Sequence, residues 1–153
     1  MWHPTPGTSG LILGPTIFFF VGAGSYFTKE FERYNLEPGD IKGAFEPFLV
    51  KYLRVAEFII GLATGSIVLL VGSSALHGST GHLPWFYATP LVMLGWCVLF
   101  GLGFMVWLIL NYEEHQHGNP HTKRGYALSE TLGFSSLACF CVGYFWLITS
   151  VTR

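Results

Sequence analysis

The chain has 153 residues, of which 51% are apolar and only 11% are charged, and its formal net charge is −1. An ordinary soluble domain is about one-quarter charged, so the composition excludes a soluble domain, a disordered chain and a nucleic-acid-binding protein. It indicates a small all-α integral membrane protein with several membrane-crossing helices.

Four apolar runs are long enough for a membrane helix, which needs about 20 residues. No residue between Glu57 and Glu113 is charged, and the turn at 77–84, His-Gly-Ser-Thr-Gly-His-Leu-Pro, divides this stretch into two helices. Residues 1–10 contain no Lys or Arg, so we expect the first run to stay as a helix and not to be a secretory signal. We predict one compact four-helix transmembrane domain over residues 1–153, with spans at about 9–28, 50–76, 85–112 and 128–152.

The loop after the first span carries a helical pattern of its own. Asp40 is a suitable helix cap, and five apolar residues follow it at helical spacing: Ile41, Phe45, Phe48, Leu49 and Tyr52. This pattern predicts a short interfacial helix that leads into the second span. Pro47 predicts a break or a new helix start within it.

The basic residues predict the orientation in the membrane. Seven of the eight Lys and Arg residues fall in the two loops that join helices one to two and three to four: Lys29, Arg33, Lys42, Lys51, Arg54, Lys123 and Arg124. The positive-inside rule therefore places these loops inside and both termini on the outer side, periplasmic, lumenal or equivalent. The membrane would be a bacterial inner membrane or an organellar membrane.

Small residues recur every four positions in each span. These stripes include Gly10, Gly14 and Gly22 in the first span, Gly61 and Gly65 after Glu57 in the second, Gly95 and Gly103 in the third, and Thr131, Ser135, Cys139 and Gly143 in the fourth. Small residues let membrane helices pack closely, so the stripes predict tight packing within one chain or between chains. The second stripe implies that Glu57 faces protein and not lipid, while Pro15 and Pro90 predict kinks.

Two arginines and two glutamates form the candidate polar site. Arg54 and Glu57 begin the second span, and Arg124 and Glu130 begin the fourth, so all four are expected at the inner face. A carboxylate within a membrane helix is a functional candidate because its burial is costly. The alternatives are a Glu57 that pairs with Arg54 and orients its helix, and a Glu130 that stabilises a helix N-terminus.

A second candidate site is the histidine-rich segment between helices three and four. His115, His117 and His121 follow two carboxylates, and this set of ligands suits zinc, nickel or copper. Gly118 and Pro120 interrupt any helix there, so the alternative is a solvated turn at the membrane exit. No residue pattern identifies a cofactor.

The second span also carries a family motif in part. Phe45-Glu46 and Glu57-Phe58 resemble the two glutamates on the second helix of the membrane-associated eicosanoid and glutathione metabolism family, whose members have a similar length and four spans. Between them, Val50 and Arg54 stand where that family has an arginine and an asparagine. The resemblance implies a trimer that conjugates glutathione to lipophilic substrates, with Arg54, Glu57 and Arg124 to be tested for thiol binding.

The functional prediction is a small integral membrane subunit or assembly partner of a larger complex, structural and lipid-facing and not itself catalytic. Its expected partners are the bilayer and other membrane subunits, or further copies of the chain, and no nucleic acid. The alternatives are a glutathione-transferase-like membrane enzyme with its polar site around Arg54 and Glu57, and a carrier or proton relay that uses Glu57.

Overall fold

The computed structural model describes residues 6–28, 45–73, 85–117 and 123–152. These residues form four long α-helices and one short 3-10 turn at Trp85–Tyr87. The helices are α1 (Pro6–Thr28), α2 (Phe45–Gly72), α3 (Ala88–Gln116) and α4 (Lys123–Val151). The predicted all-α class is therefore confirmed for the described part of the chain.

Each helix is long and apolar enough to cross a membrane. The qualifying spans contain 21 to 27 residues: Thr8–Thr28, Leu49–Gly72, Ala88–Glu114 and Arg124–Ser150. Within hydrocarbon every backbone amide and carbonyl needs a partner, and a helix supplies those partners within one segment. The prediction of four spans is thus confirmed, and the chain has the fold of a multi-pass integral membrane protein.

The helices extend beyond the predicted spans at several ends. Helix α2 begins at residue 45, before the predicted span start at about 50. Helix α4 begins at 123, before 128, and α3 continues to 116, beyond 112. Hydropathy marks only the apolar centre of each helix, whereas backbone hydrogen bonding continues into the polar flanks. The second helix is described only to residue 72, so the predicted end at 76 lies outside the described residues.

The prolines fall where helices tolerate them, with one exception. Pro47 and Pro90 are the third residues of α2 and α3, in a first turn whose N–H groups have no intrahelical partner. Of the two alternatives predicted at Pro47, α2 shows no break there, whereas a new helix start agrees with its beginning at Phe45. Pro90 has no cause to kink α3. Among the prolines that the structure describes, Pro15 alone lies beyond the first turn of its helix.

The predicted interfacial helix is described only in part. Its residues 45–52 are the first two turns of the continuous helix α2, and residues 41–44 lie outside the described residues. A separate interfacial helix in the first loop stays a prediction.

The helices α3 and α4 form the centre of the bundle. They run antiparallel, because Gly143 lies beside Leu94 and Gly133 lies beside Phe104. Helix α1 packs against both of them, whereas α2 packs chiefly against α3 and touches α4 only lightly. The residues of the central core belong to α2, α3 and α4: Ala63, Met93, Leu94, Cys97 and Cys139.

Glycines of α1 create the close contacts of that helix. Gly10 packs against the Thr89 carbonyl, since a Cβ at Gly10 would be 3.3 Å from the carbonyl oxygen. Gly22 packs against the Thr131 methyl group, since a Cβ at Gly22 would be 3.2 Å from Thr131 Cγ2. Between them, Gly14 faces the indole of Trp96. The predicted packing stripe on α1 is confirmed, because a side chain at any of these positions would push the helices apart.

Small residues also line the contact between α3 and α4. Gly143 contacts Leu94, and Gly103 contacts Leu132. On α4, Ser135 and Cys139 are completely buried. The stripe on α4 is confirmed, and the stripe on α3 is confirmed at Gly103 but not at Gly95, which has open space around it. Gly101, which lies off the predicted stripe, is in close contact with α2: a Cβ there would be 2.8 Å from Ile60 Cγ1.

The stripe on α2 faces away from the bundle. The buried positions of this helix recur every seven residues: Leu49, Ala56, Ala63 and Leu70. Gly61 and Gly65 have no atom of a neighbouring helix within contact distance, and Glu57 is exposed. Within a single chain, Glu57 therefore faces no other helix, and the prediction that it faces protein stays a prediction.

Candidate functional site

Four helix termini share one end of the bundle, which we call the charged end: the last turns of α1 and α3 and the first turns of α2 and α4. Helices α1 and α3 run parallel, because Gly10 lies beside Thr89 and the Phe18 ring stacks on Phe100 with centroids 5.2 Å apart. Helices α2 and α4 also run parallel, because Ile60 lies at the level of Ser136 and Ser66 at the level of Tyr144.

Side-chain hydrogen bonds join the end of α3 to the start of α4. Trp107 Nε1 donates to the Gly125 carbonyl oxygen at 3.0 Å. The buried amide of Asn111 donates to Ser129 Oγ at 3.3 Å, and that hydroxyl donates to the Gly125 oxygen at 3.1 Å. These bonds use carbonyl and hydroxyl groups near the N-terminus of α4, so they fix the two helices together at the charged end.

An open groove of about 320 Å³ lies beside these bonds. Its walls come from the last three turns of α3: Trp107, Leu110, Asn111, Glu113, Glu114 and His117. Glu113 and Glu114 are exposed, and the apolar side chain of Leu110 is 46% exposed. The groove thus joins an acidic surface to an apolar one.

The predicted polar site is divided between two helices. Arg54 and Glu57 are exposed on α2, whereas Arg124 is exposed and Glu130 half-buried on the first two turns of α4. Because α2 touches α4 only lightly, the two pairs are presented by helices that do not pack closely. None of the four lines the groove at the end of α3, and a shared site for them stays a prediction.

Of the three histidines in the candidate metal site, the structure describes the side chain of His117. His117 Nδ1–H donates to the Glu113 carbonyl oxygen at 2.8 Å, so this ring caps the last turn of α3. The side chain of His115 and all of His121 lie outside the described residues. Among the described residues no cluster of three or more His, Cys, Asp or Glu could hold a metal ion, and a site formed by His115, His117 and His121 stays a prediction.

The remaining candidate is the face of α2 that points away from the bundle. At about 100° per residue, Arg54, Gly61, Gly65 and Gly72 lie opposite the buried Ala63. Val68 and the exposed Phe58 lie on either side of them, and Glu57 lies at their edge. We call the six residues Arg54, Glu57, Gly61, Gly65, Val68 and Gly72 the outward face of α2. All of them are exposed, and the three glycines have open space around them.

The sequence carries a signal for this face but leaves open whether the face packs within the chain or between chains. Gly61 and Gly65 form the Gly-x-x-x-Gly spacing of membrane helix association. The seven-residue recurrence from Leu49 to Leu70 marks the opposite side as the one that packs within the chain. Together, the two patterns separate the internal contact of α2 from its outward face.

Comparison with known proteins assigns no family to the chain. No protein-family model, curated protein or solved structure matches it. Of the two glutamates that carry the family resemblance, the Glu46 side chain lies outside the described part of the structure and Glu57 is exposed on α2.

Proposed function

We propose that this protein is an integral membrane subunit or assembly partner of a larger membrane complex, and that the outward face of α2 is its contact surface. The observation that carries the proposal is the open space around Gly61 and Gly65 on a helix that crosses the membrane. In lipid, apolar surface alone gives no reason for helices to associate, so small residues distinguish a contact face from a lipid-facing one.

Glycines on α1, α3 and α4 show which positions glycine occupies at the internal helix contacts of this protein. Seven glycines of these helices have a side chain or carbonyl group of another helix within contact distance: Gly10, Gly14, Gly22, Gly101, Gly103, Gly133 and Gly143. The lipid-exposed positions of these helices carry many large residues, such as Phe19, Leu99 and Phe145 at 72%, 60% and 71% exposure. A glycine row on α2 without a neighbour therefore resembles the internal contacts of the bundle more than its lipid-facing surface.

The charges of the outward face support the same proposal. Glu57 lies within the qualifying span Leu49–Gly72, about one turn from Arg54. A carboxylate and a guanidinium exposed on a membrane helix are costly in contact with lipid, and such groups usually face protein or water. A partner on this face would supply the hydrogen bonds and countercharges that lipid tails lack.

Substituting a glycine of the outward face tests the proposal. We expect Gly65→Leu to lower recovery of the associated subunits by about tenfold, which is the effect of losing roughly 1.4 kcal/mol of association free energy. The measurement is native mass spectrometry of the untagged protein after gentle extraction from its own membrane. Gly24→Leu is the matched control, because Gly24 is also open and exposed but lies on α1.

The two variants must also keep the fold. Gly65→Leu should leave helix content and thermal unfolding unchanged, since no neighbouring atom lies near Gly65. Equal recovery of partners with wild type, Gly65→Leu and Gly24→Leu would contradict the proposal. Gly143→Leu is unsuitable for this test, because Gly143 contacts Leu94 and Met93 inside the bundle and the variant would disturb the fold itself.

The proposal includes an orientation. Lys51, Arg54 and Arg124 lie near the charged end, and the positive-inside rule assigns that end to the inner side and both termini to the outer side. The outward face then presents Arg54 and Glu57 near the inner surface and Gly72 near the outer surface.

A small membrane enzyme is the second candidate, similar to membrane glutathione transferases, with a polar site around Arg54 and Glu57. Both side chains are exposed near the charged end. A groove of about 320 Å³ at the same end, lined by α3 and not by Arg54 or Glu57, joins acidic side chains to the exposed Leu110. A lipophilic substrate with a polar end requires a site of this mixed character.

Turnover with glutathione and a lipophilic electrophile tests this candidate. If the enzyme function is correct, we expect Arg54→Ala and Glu57→Gln to lower kcat/KM by about tenfold or more while the unfolding temperature stays unchanged. Parallel losses of turnover and stability, or no turnover in the wild type, would contradict it.

A further inference from the structure

We propose that the partner on the outward face of α2 is a second copy of this chain, related by a two-fold axis that runs along the membrane normal. The inference rests on the proposed function and makes it specific. It commits to a parallel pair of α2 helices that cross at Gly61 and Gly65 and carry reciprocal Arg54–Glu57 contacts.

The orientation of the pair follows from membrane topology. All copies of a multi-pass protein insert with the same side inward, so an α2 helix of a second copy is parallel to the first. A two-fold axis along the membrane normal brings the same residues of both copies to the same depth. Such an interface is isologous, and its surface must be complementary to itself.

The glycines satisfy the steric part of self-complementarity. Gly61 and Gly65 are four residues apart, and Val68 and Gly72 continue the same face at intervals of three and four residues. Parallel helices with a Gly-x-x-x-Gly pair approach closely and cross at about −40°. Each backbone can then lie in the shallow groove that the glycines of the other copy leave open.

The charges satisfy the electrostatic part. Arg54 lies near the middle of the outward face, and Glu57 lies at its edge, one turn closer to the crossing point. At a splayed crossing the helices are farther apart at this depth than at the glycines, which leaves room for both long side chains. Arg54 of each copy then reaches Glu57 of the other, and two equivalent pairs form about the axis.

This charge pattern favours a second copy over an unrelated helix. A different partner would have to supply both an anion and a cation at the depth of Arg54 and Glu57, beside a small-residue surface at the depth of Gly61 and Gly65. A second copy supplies all of these at the correct depth. Lipid tails supply none of them.

Cysteine cross-linking in native membranes tests the pairing directly. The full-length chain would carry Cys141→Ala, because Cys141 is exposed on α4, while the buried Cys97 and Cys139 stay unchanged. We expect Gly65→Cys in this background to form a covalent homodimer on mild oxidation. Gly24→Cys, an open glycine on α1, is the matched control and should stay monomeric.

A charge exchange tests the reciprocal contacts. Each interhelical polar contact in a membrane contributes only a modest free energy. We therefore expect Arg54→Glu or Glu57→Arg alone to weaken self-association by about sevenfold, the effect of losing two average contacts. The double exchange Arg54→Glu with Glu57→Arg should restore it. The measurement is energy transfer between donor- and acceptor-labelled copies in liposomes, with Glu114→Arg as the control, because Glu114 is exposed on α3.

The outcomes separate this inference from the proposed function. No homodimer with Gly65→Cys, together with a heteromeric particle that Gly65→Leu dissociates, would overturn the second copy and keep the subunit function. Cross-linking of Gly65→Cys without rescue by the double exchange would overturn the reciprocal charge contacts. A protein that stays monomeric in native membranes and binds no other subunit would overturn both.

Discussion

Gly14→Leu is expected to destabilise the bundle by about 3 kcal/mol or more, at the upper end of the range for overpacking. A Cβ at Gly14 would overlap the Trp96 indole, whose Nε1 would be 2.6 Å away. The indole cannot move aside easily, because it stacks on Phe100 with centroids 5.3 Å apart and Phe100 stacks on Phe18. The substitution therefore separates α1 from α3 along this row of rings.

Unfolding in mixed detergent micelles measures this effect. The free energy of unfolding of Gly14→Leu is compared with that of Gly24→Leu, which lies on the same helix in open space and should change stability by no more than about 0.5 kcal/mol. If the two variants were equally stable, the close approach of α1 and Trp96 would be wrong. Helix content by circular dichroism should stay near that of the wild type, since each span retains its own backbone hydrogen bonds.

Four spans could be predicted from the sequence because length and hydropathy determine them directly. The uncharged stretch from 58 to 112 is too long for one helix, and the glycines and the proline of segment 77–84 predict that it is divided there. The helix ends were less predictable. Charged residues such as Glu113 and Arg124 end an apolar run but not a helix, and both lie inside α-helices in the structure.

The side on which α2 packs could not be predicted from small residues alone. A Gly-x-x-x-Gly stripe favours close packing equally well within a chain and between chains, and Gly61 and Gly65 meet that description without indicating the partner. Hydropathy does not help either, because lipid and protein are both apolar neighbours. The internal side of α2 is lined by Ala56 and Ala63, whose spacing of seven fits a packed helix seam.

The charged end was predictable in content but not in arrangement. The basic residues and Glu130 were expected at one end of the bundle, and Arg54 and Arg124 do lie near the shared helix ends. No sequence pattern predicts the hydrogen bond from Trp107 Nε1 to the Gly125 carbonyl oxygen. A tryptophan in an apolar run gives no sign of which backbone oxygen its N–H will meet until the register of the two helices is known.

The double substitution Leu94→Ala with Gly143→Ala tests the register of α3 against α4. Leu94 is completely buried, so Leu94→Ala alone should cost about 2–5 kcal/mol through the cavity it leaves. A Cβ at Gly143 would lie 3.2 Å from Leu94 Cδ2, so the methyl group of Gly143→Ala occupies part of the space that Leu94→Ala vacates. We expect the double variant to be more stable than the sum of the single effects by about 0.5–3 kcal/mol, the usual coupling between residues in contact.

A second glycine on the same helix provides the control for this coupling. Gly133 also lies at the α3–α4 contact, but its neighbour is Phe104 and not Leu94. Gly133→Ala combined with Leu94→Ala should therefore be additive within about 0.5 kcal/mol. Additivity in both pairs would contradict the register of α3 and α4, whereas coupling confined to Gly143 would fix which turn of α4 faces Leu94. That register also brings the end of α3 to the start of α4, and so the same measurement bears on the arrangement of the charged end.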